Sequence, residues 1–481
     1  MKGKFLEFYE GVLMSFNLES MMISGKEVLP LIEGGKGVGV STGLTSGEWA
    51  KAGGIGTVSA VNASRLDDDG KIIPVEYKGR NRNERFRELV QFGIEGGLTQ
   101  LRQAHEIADG NGRLHVNVLW EMGGAQEILH GILQEAKGIV NGVTCGAGMP
   151  FKLAEIASQY GVHYYPIVSS GRAFRALWLR SYRKAPDFLG GVVYEDPWLA
   201  GGHNGLSNTE RFDHPEDPYP RVKELRATMN KFGLENTPII MAGGVWYLRD
   251  WTDWMNNPEI GPLVFQFGTR PLLTQESPVR DSWGDTLLGL KEGDVALNPF
   301  SPTGFYSSAV RNTFLDELYA RTERQISFTD HNEPADDHTE SFKFGPRNRE
   351  VFLTAHGKKS AEKWMAEGFT KALVTPDSTF VFVAEEKAAE IRKDQLDCMG
   401  CLSQCKFSNW ADNEKGTTGR KADPRSYCIQ KTLLNSAYGD APEHNLMFSG
   451  HAAYKFAQDP FYNDGFIPTV KQLVDRIATG D

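Results

Sequence analysis

Long apolar runs are what this sequence most plainly lacks. No stretch of ~18 apolar residues occurs in its 481 positions, which excludes a helix built to cross a membrane. The opening segment, MKGKFLEFYEGVLMSFNLES, interrupts its apolar residues with Glu7 and Glu10, unlike the uncharged core of a signal peptide, so a soluble cytoplasmic protein is expected. Dense blocks of Lys or Arg are missing too. With 52 Lys+Arg against 62 Asp+Glu the net charge is −10, and nucleic acid is not an expected partner, because phosphate backbones are held by clustered positive charge. Cysteine is scarce: five in so long a chain do not make a disulfide framework. No repeat of fixed period is visible. What is there is an ordinary globular mixture, 40% hydrophobic and 24% charged, long enough for several domains or one large barrel with additions.

Eight short apolar or β-rich runs end in Gly or polar residues between positions 28 and 270: Val28–Gly39, Ile55–Val61, Leu114–Trp120, Gly138–Cys145, His163–Ser170, Phe188–Glu195, Thr237–Val245 and Pro262–Arg270. Helix-forming stretches lie between them, such as Asn83–Ala108, Gly124–Lys137, Pro150–Tyr160 and Arg221–Phe232. Alternation with near-continuously apolar strands means a parallel sheet buried on both faces. Eight units suit a (β/α)8 TIM barrel over residues 1–273; a doubly wound sheet is the alternative. The Gly34–Gly39 turn (GGKGVG) lacks the G-x-G-x-x-G spacing of a dinucleotide loop. Residues 62–83 form a polar excursion, expected as a loop at one mouth. Beyond Leu273 Pro, Asp and Asn become frequent, with one more strand expected at Thr379–Ala384, so 274–481 read as a mixed extension docking on the barrel. Within it His331, Asp336, Asp337 and His338 read as a solvated acidic loop, and the amphipathic Phe466–Ile477 as a helix docking on the barrel or on a second subunit of a homo-oligomer.

Three segments carry chemistry in the barrel. Ala242-Gly243-Gly244-Val245 and Phe267-Gly268-Thr269-Arg270 end the seventh and eighth strands, where barrel enzymes often bind phosphate through exposed backbone N–H groups and a following helix N-terminus. Thr269 adds a hydroxyl. Ala200-Gly201-Gly202-His203-Asn204-Gly205 follows the sixth strand and aims His203 at the same mouth, with a reference pKa suited to proton transfer near neutrality.

Together with Ala52-Gly53-Gly54-Ile55-Gly56-Thr57, and with Gln266 before and Glu276-Ser277 after the last segment, these stretches resemble, in order, the nitronate monooxygenase (2-nitropropane dioxygenase-like) family. The resemblance implies a barrel holding FMN, with Gly243, Gly244, Gly268 and Thr269 on its phosphate. It also implies that the turns containing Gly35, Gly37, Gly53 and Gly54 pass near the flavin ring, with Gly202 and Gln266 beside the cofactor. His203 would act over the flavin as a general base or as a hydrogen-bond donor to an anionic substrate oxygen. The substrate implied is a small nitronate-like anion, with O2 as acceptor; relatives that are NAD(P)H-dependent flavin or enoyl reductases are the alternative. Trp246 and Tyr247, where such relatives carry small residues, depart from the family; Tyr247, Trp251 and Trp254 follow helical spacing and read as a buried helix face. Cys145, at the end of the fourth strand, reads as a packed thiol.

The remaining cysteines, Cys398, Cys401, Cys405 and Cys428, are spaced C-x2-C-x3-C-x22-C. Three cysteines in one tight loop with a distant fourth is the usual look of an iron–sulfur cluster, expected as [4Fe–4S], with structural zinc as the alternative. Such a cluster would give FMN a one-electron path to an electron-transfer protein, in which case the chain could be a carrier serving that partner.

Overall fold

A strand enclosed on both faces needs apolar or small side chains at every position, and Ile55–Ser59 and Ile239–Ala242 are buried throughout. In the computed structural model, which describes residues 16, 18–207, 209–279, 281–331, 337–345, 347–439 and 441–481, all eight runs form strands. They are β1 (Leu31–Glu33), β2 (Ile55–Ser59), β3 (Arg113–Leu119), β4 (Gly142–Gly146), β5 (His163–Val168), β6 (Val192–Glu195), β7 (Ile239–Ala242) and β8 (Leu263–Phe267). The pairs are parallel, and β8 closes on β1 with Phe265 opposite Leu31 and Phe267 opposite Glu33. The fold is a (β/α)8 barrel. The opening segment's charge pattern falls largely outside the described residues, and so does Asp336. No described helix is long and apolar enough to cross a membrane.

Helices α1 (Gly43–Lys51), α2 (Arg82–Ala108), α3 (Ala125–Glu135), α4 (Leu153–Gln159), α5 (Gly171–Arg180) and α6 (Pro218–Asn230) follow the first six strands. The pattern then breaks. The helix face expected on Tyr247, Trp251 and Trp254 is only a 3-10 turn, Leu248–Trp251, followed by turns in which Asn256 adopts a left-handed φ of 60°. Pro258, which forces its predecessor out of helical geometry, stops propagation. The indoles still pack, Trp251 against Phe265 and Trp254 at 5.9 and 4.9 Å. After β8 there is likewise one 3-10 turn, Arg270–Leu272, so the helix N-terminus expected beside the phosphate segments is absent there.

The extension supplies α7 (Asp281–Leu288), α8 (Thr313–Glu323), α9 (Ala355–Ala366), α10 (Glu385–Leu396), α11 (Ile429–Tyr438) and α12 (Val470–Ala478). Thr379–Val383 is the expected strand; it pairs with Gln325–Ser327 and Lys371–Val374 and packs with α9 over a separate phenylalanine-rich core. His338 opens a hairpin strand there. α12 packs against α1, started by a Thr469–Gln472 capping box and by the Val470 N–H donated to Glu276 Oε2 at 2.9 Å. Its Val470, Leu473, Val474 and Ile477 are buried, so the amphipathic tail docks on the barrel itself. Leu473→Ala should therefore cost about 2–5 kcal/mol in urea unfolding, as deletion of a fully enclosed leucine side chain does.

Candidate active site

In a barrel of this kind the loops that follow the strands open at one end, and here the strands or the segments directly after them line one cavity there, with about 1420 Å3 of empty space including its open mouth. Gly35 and Gly37 come from the turn after β1, Asn117 from β3, Thr144 and Gly146 from β4, Ile167 from β5 and Glu195 from β6. Gly243 and Gly244 follow β7, while Gln266, Gly268 and Thr269 end and follow β8. Gly202 and His203 also line it.

The β7–β8 side has the character of an anion cradle. Gly243 sits at φ 94°, and a Cβ there would come within 2.9 Å of the Ala200 nitrogen, so only glycine lets these two loops meet. Gly268 is different: a Cβ on it would touch nothing within 4 Å, because its backbone faces open space. Beside it Thr269 Oγ1 accepts the Gly450 N–H at 3.0 Å, which leaves the threonine proton free to donate. Ser449, also on the wall, has a buried Oγ without a protein partner. Unfilled backbone space and two hydroxyls, with no carboxylate among the lining residues of β7, β8 and their loops, fit a phosphate.

Of the titratable groups that line the cavity, His203 and Glu195 are pushed in opposite directions by their surroundings. Burial lowers the His203 imidazole to about 4, so it is neutral at pH 7. Burial, with the negative charge of Asp196 behind it, raises the Glu195 carboxyl to about 8, so it is protonated at pH 7. His203 is held by a two-residue antiparallel pairing of Gly202–His203 with Ser307–Ser308 of the extension, by Ser301 Oγ at 2.5 Å from Nε2, and by the edge of Phe448 at 5.4 Å. Asp196 is fixed in turn as its Oδ1 accepts the Trp198 and Leu199 N–H groups.

Two residues expected near the cofactor lie elsewhere. Gly53 and Gly54 form the turn between α1 and β2, where the Gly53 carbonyl accepts the Leu29 N–H and the Gly54 carbonyl that of Arg113. A loop preceding a strand opens on the amino end of the barrel, and these glycines do not line the cavity. Trp246 is buried against Phe456, 4.9 Å away, donates Nε1–H to Asp459 Oδ2 at 3.0 Å, and so packs the extension onto the phosphate loops. Cys145 is a packed thiol, since Thr144 and Gly146 are the β4 residues that turn inward. Glu195, Leu433, Phe448 and Gly450 are site residues that the sequence reading missed. Glu195 is signalled by its place as the last, polar residue of an apolar strand; the other three carry no local signal.

The four cysteines of the extension come together in one lobe. Its backbone is docked on the loop between β3 and α3, with the Gly123 N–H donated to the Cys401 carbonyl and the Ser403 N–H to the Glu121 carbonyl. The Cys401 thiol is pushed up by burial and by the charges of Cys428, Cys405 and Cys398, and Cys398 Sγ lies 3.1 Å from Ser408 Oγ. Among the described residues no three His, Cys, Asp or Glu side chains are arranged to hold a single metal ion. Cys428 caps α11, whose Leu433 lines the cavity and whose Tyr438 hydroxyl donates to the Gly39 carbonyl at 2.5 Å.

No family model matches the chain, and no curated protein matches it. Solved structures do. It is similar to the enoyl reductase domain of MlnA from the macrolactin biosynthesis cluster of Bacillus amyloliquefaciens, at 11% identity and a TM-score of 0.53, over 94% of this chain and 93% of that one. FabK from Thermotoga maritima is matched at 15% identity and a TM-score of 0.47, over 93% and 91%. A nitroalkane oxidase from Streptomyces ansochromogenes is matched at 17% and 0.42, over 60% and 79%. The likeness to the MlnA domain runs through barrel and extension alike and agrees with the barrel fold described above.

Proposed function

We propose that this chain is an FMN-dependent oxidoreductase that reduces the double bond of a small α,β-unsaturated carbonyl substrate with electrons from NAD(P)H. The observation that carries the reading is the single cavity at the barrel's carboxyl end, with an anion cradle on one side and a neutral imidazole and a protonated carboxyl lining it. Gly243, Gly244, Gly268 and Thr269 would hold the FMN phosphate, with Gly35, Gly37, Gly202 and Gln266 along the ring. Bound FMN would supply two-electron redox chemistry. His203, neutral and too weak a base to take a proton from carbon near pH 7, donates a hydrogen bond to the substrate oxygen. Glu195 delivers a proton to the carbon next to the carbonyl, the reducing electron pair having gone with a hydride to the other carbon of the double bond. Nitronate oxidation is the other reading that the family resemblance supports, but it calls for no acid. Glu195 and the full-length likeness to an enoyl reductase domain favour reduction. A second centre belongs to this reading. The lobe of Cys398, Cys401, Cys405 and Cys428 holds an iron–sulfur cluster, supported by the cysteine spacing and by four thiols whose charges act on one another.

The test is reconstitution with FMN followed by turnover of 2-enoyl thioesters with NADH or NADPH, and of nitronates with O2. Enoyl reduction supports the proposal; nitronate turnover alone overturns it in favour of the oxidase, and no turnover without an added redox protein makes the chain an electron carrier. Gly268→Val provides a separate check on the cofactor. The new side chain enters open space, so stability should hold while FMN affinity, read by fluorescence titration, falls at least about tenfold through loss of the phosphate contact.

A further inference from the structure

Ser301 lies outside the barrel, in the extension, 98 positions after His203, and its side chain ends 2.5 Å from His203 Nε2. Ser301 is 2% exposed, and everything around it is fixed. It stands in the loop joining the two extension strands Val295–Asn298 and Ser307–Val310, the second of which pairs with the His203 backbone. Asn298 clamps the base of that loop, its Nδ2 donating to the Ser307 carbonyl at 2.8 Å and its Oδ1 accepting the Phe300 N–H at 3.3 Å. Ser426 Oγ donates to the Phe300 carbonyl at 2.7 Å.

The proton on Ser301 decides what His203 can do. An imidazole held neutral carries one proton, and whichever nitrogen lacks it is an acceptor. Ser301 Oγ already accepts the Thr303 N–H at 3.3 Å, and Thr303 Oγ1, which accepts the Phe305 N–H, lies 2.8 Å away in a contact where either hydroxyl can donate. With the Thr303 N–H on one lone pair the serine keeps a proton to give, and His203 Nε2 at 2.5 Å lies nearer to it than the Thr303 hydroxyl at 2.8 Å. We propose that Ser301 donates its hydroxyl proton to His203 Nε2 and thereby fixes the imidazole in the tautomer that carries its proton on Nδ1. Among the described residues no hydrogen-bond partner faces Nδ1, so its proton is available to a substrate oxygen in the cavity. Ser301 is thus a positioning residue supplied by the extension, and the barrel's histidine is a donor only because the extension is there. The inference rests on the reading of this cavity as the active site, but the tautomer itself can be read without any substrate.

The experiment is selective 15N-histidine NMR of the full-length FMN-loaded protein, with His203→Gln identifying the signal, alongside kinetics of Ser301→Ala and Ser301→Thr. The expected spectrum shows His203 with a protonated Nδ1 and a bare Nε2; Ser301→Ala mixes the two tautomers and Ser301→Thr restores one. For turnover, Ser301→Ala should lower kcat about tenfold with the substrate KM little changed, as loss of a buried hydrogen bond to a working group does. In the His203→Gln background the same substitution should cost nothing further, because Ser301 acts through that ring. A proton on Nε2 in the parent protein overturns the inference even if no turnover is ever found. So does a Ser301→Ala loss that persists undiminished beside His203→Gln, or an unchanged spectrum in Ser301→Ala.

Discussion

Glu195→Gln lowers kcat for enoyl reduction by about 10²-fold or more, the scale of a lost general acid, and removes the alkaline limb of its pH profile. Glu195 ends β6 in the cavity wall, where burial comes first and Asp196 second in raising its carboxyl to about 8. The sign follows from which form works. If the protonated carboxyl donates, the rate is fully present below that value and falls as pH rises through about 8. Glutamine keeps the shape and the neutral charge but has no proton to transfer, so the variant should be slow and flat over the same range. Asp196→Asn supplies the complementary shift. It removes the second cause of the elevation, while its amide oxygen can still accept the Trp198 and Leu199 N–H groups, so the limb should move to lower pH with little loss of stability. Rates at saturating substrate from pH 5 to 9 decide the matter; a limb that survives in Glu195→Gln assigns the proton to another group.

Much of the barrel was legible because its physical demands are local. Every strand had to be apolar on both faces, and every strand had to end where the chain turns, so the eight runs stand out at Leu31–Glu33 as clearly as at Leu263–Phe267. That the segments after β7 and β8 line the cavity was legible for a related reason: Gly243 and Gly268 sit where backbone must be exposed, and glycine is the residue that exposes it. Gly53 and Gly54 mislead on the same logic, since a glycine that tightens a helix-to-strand turn at the barrel's amino end looks the same in sequence as one that faces a ligand. The missing helix after β7 was misread from Tyr247, Trp251 and Trp254, whose helical spacing is real but runs into Pro258 within one turn of Trp254. What could not be read at all is what the extension brings back to the mouth. Ser301, Leu433 and Gly450 reach the cavity by pairings across long separations, such as the Gly450 N–H donated to Thr269 Oγ1 over 181 positions, and nothing within a few residues of either partner encodes them. Trp246 shows the same limit from the other side: its departure from the small residues of the family is visible in the sequence, but its partners Phe456 and Asp459 are not.

Cys401→Ser, prepared without oxygen, loses the iron and acid-labile sulfide that the parent protein carries at about four each per chain, the content of the proposed cluster. Cys401 is the ligand to remove, because its thiol feels all three of the others and its carbonyl anchors the lobe to the loop after β3. A thiol raised by burial stays protonated and unreactive unless a metal replaces the proton, so Cys401, Cys405 and Cys428, gathered in one place, are stable as ligands and costly as free thiolates. The backbone hydrogen bond from Gly123 does not depend on the side chain, and the helix that leaves Cys428 reaches the cavity at Leu433, five residues or about 7.5 Å along its axis. Two results therefore separate two roles. Loss of metal with FMN content and enoyl turnover from NADPH unchanged would make the cluster a side path for electrons to another protein. Loss of both metal and FMN would mean that the lobe's main work is to hold α11, with Leu433 and the Tyr438 hydroxyl, against the cavity. One zinc per chain in the parent protein, without sulfide, overturns the cluster and leaves the lobe as a structural clamp on that helix.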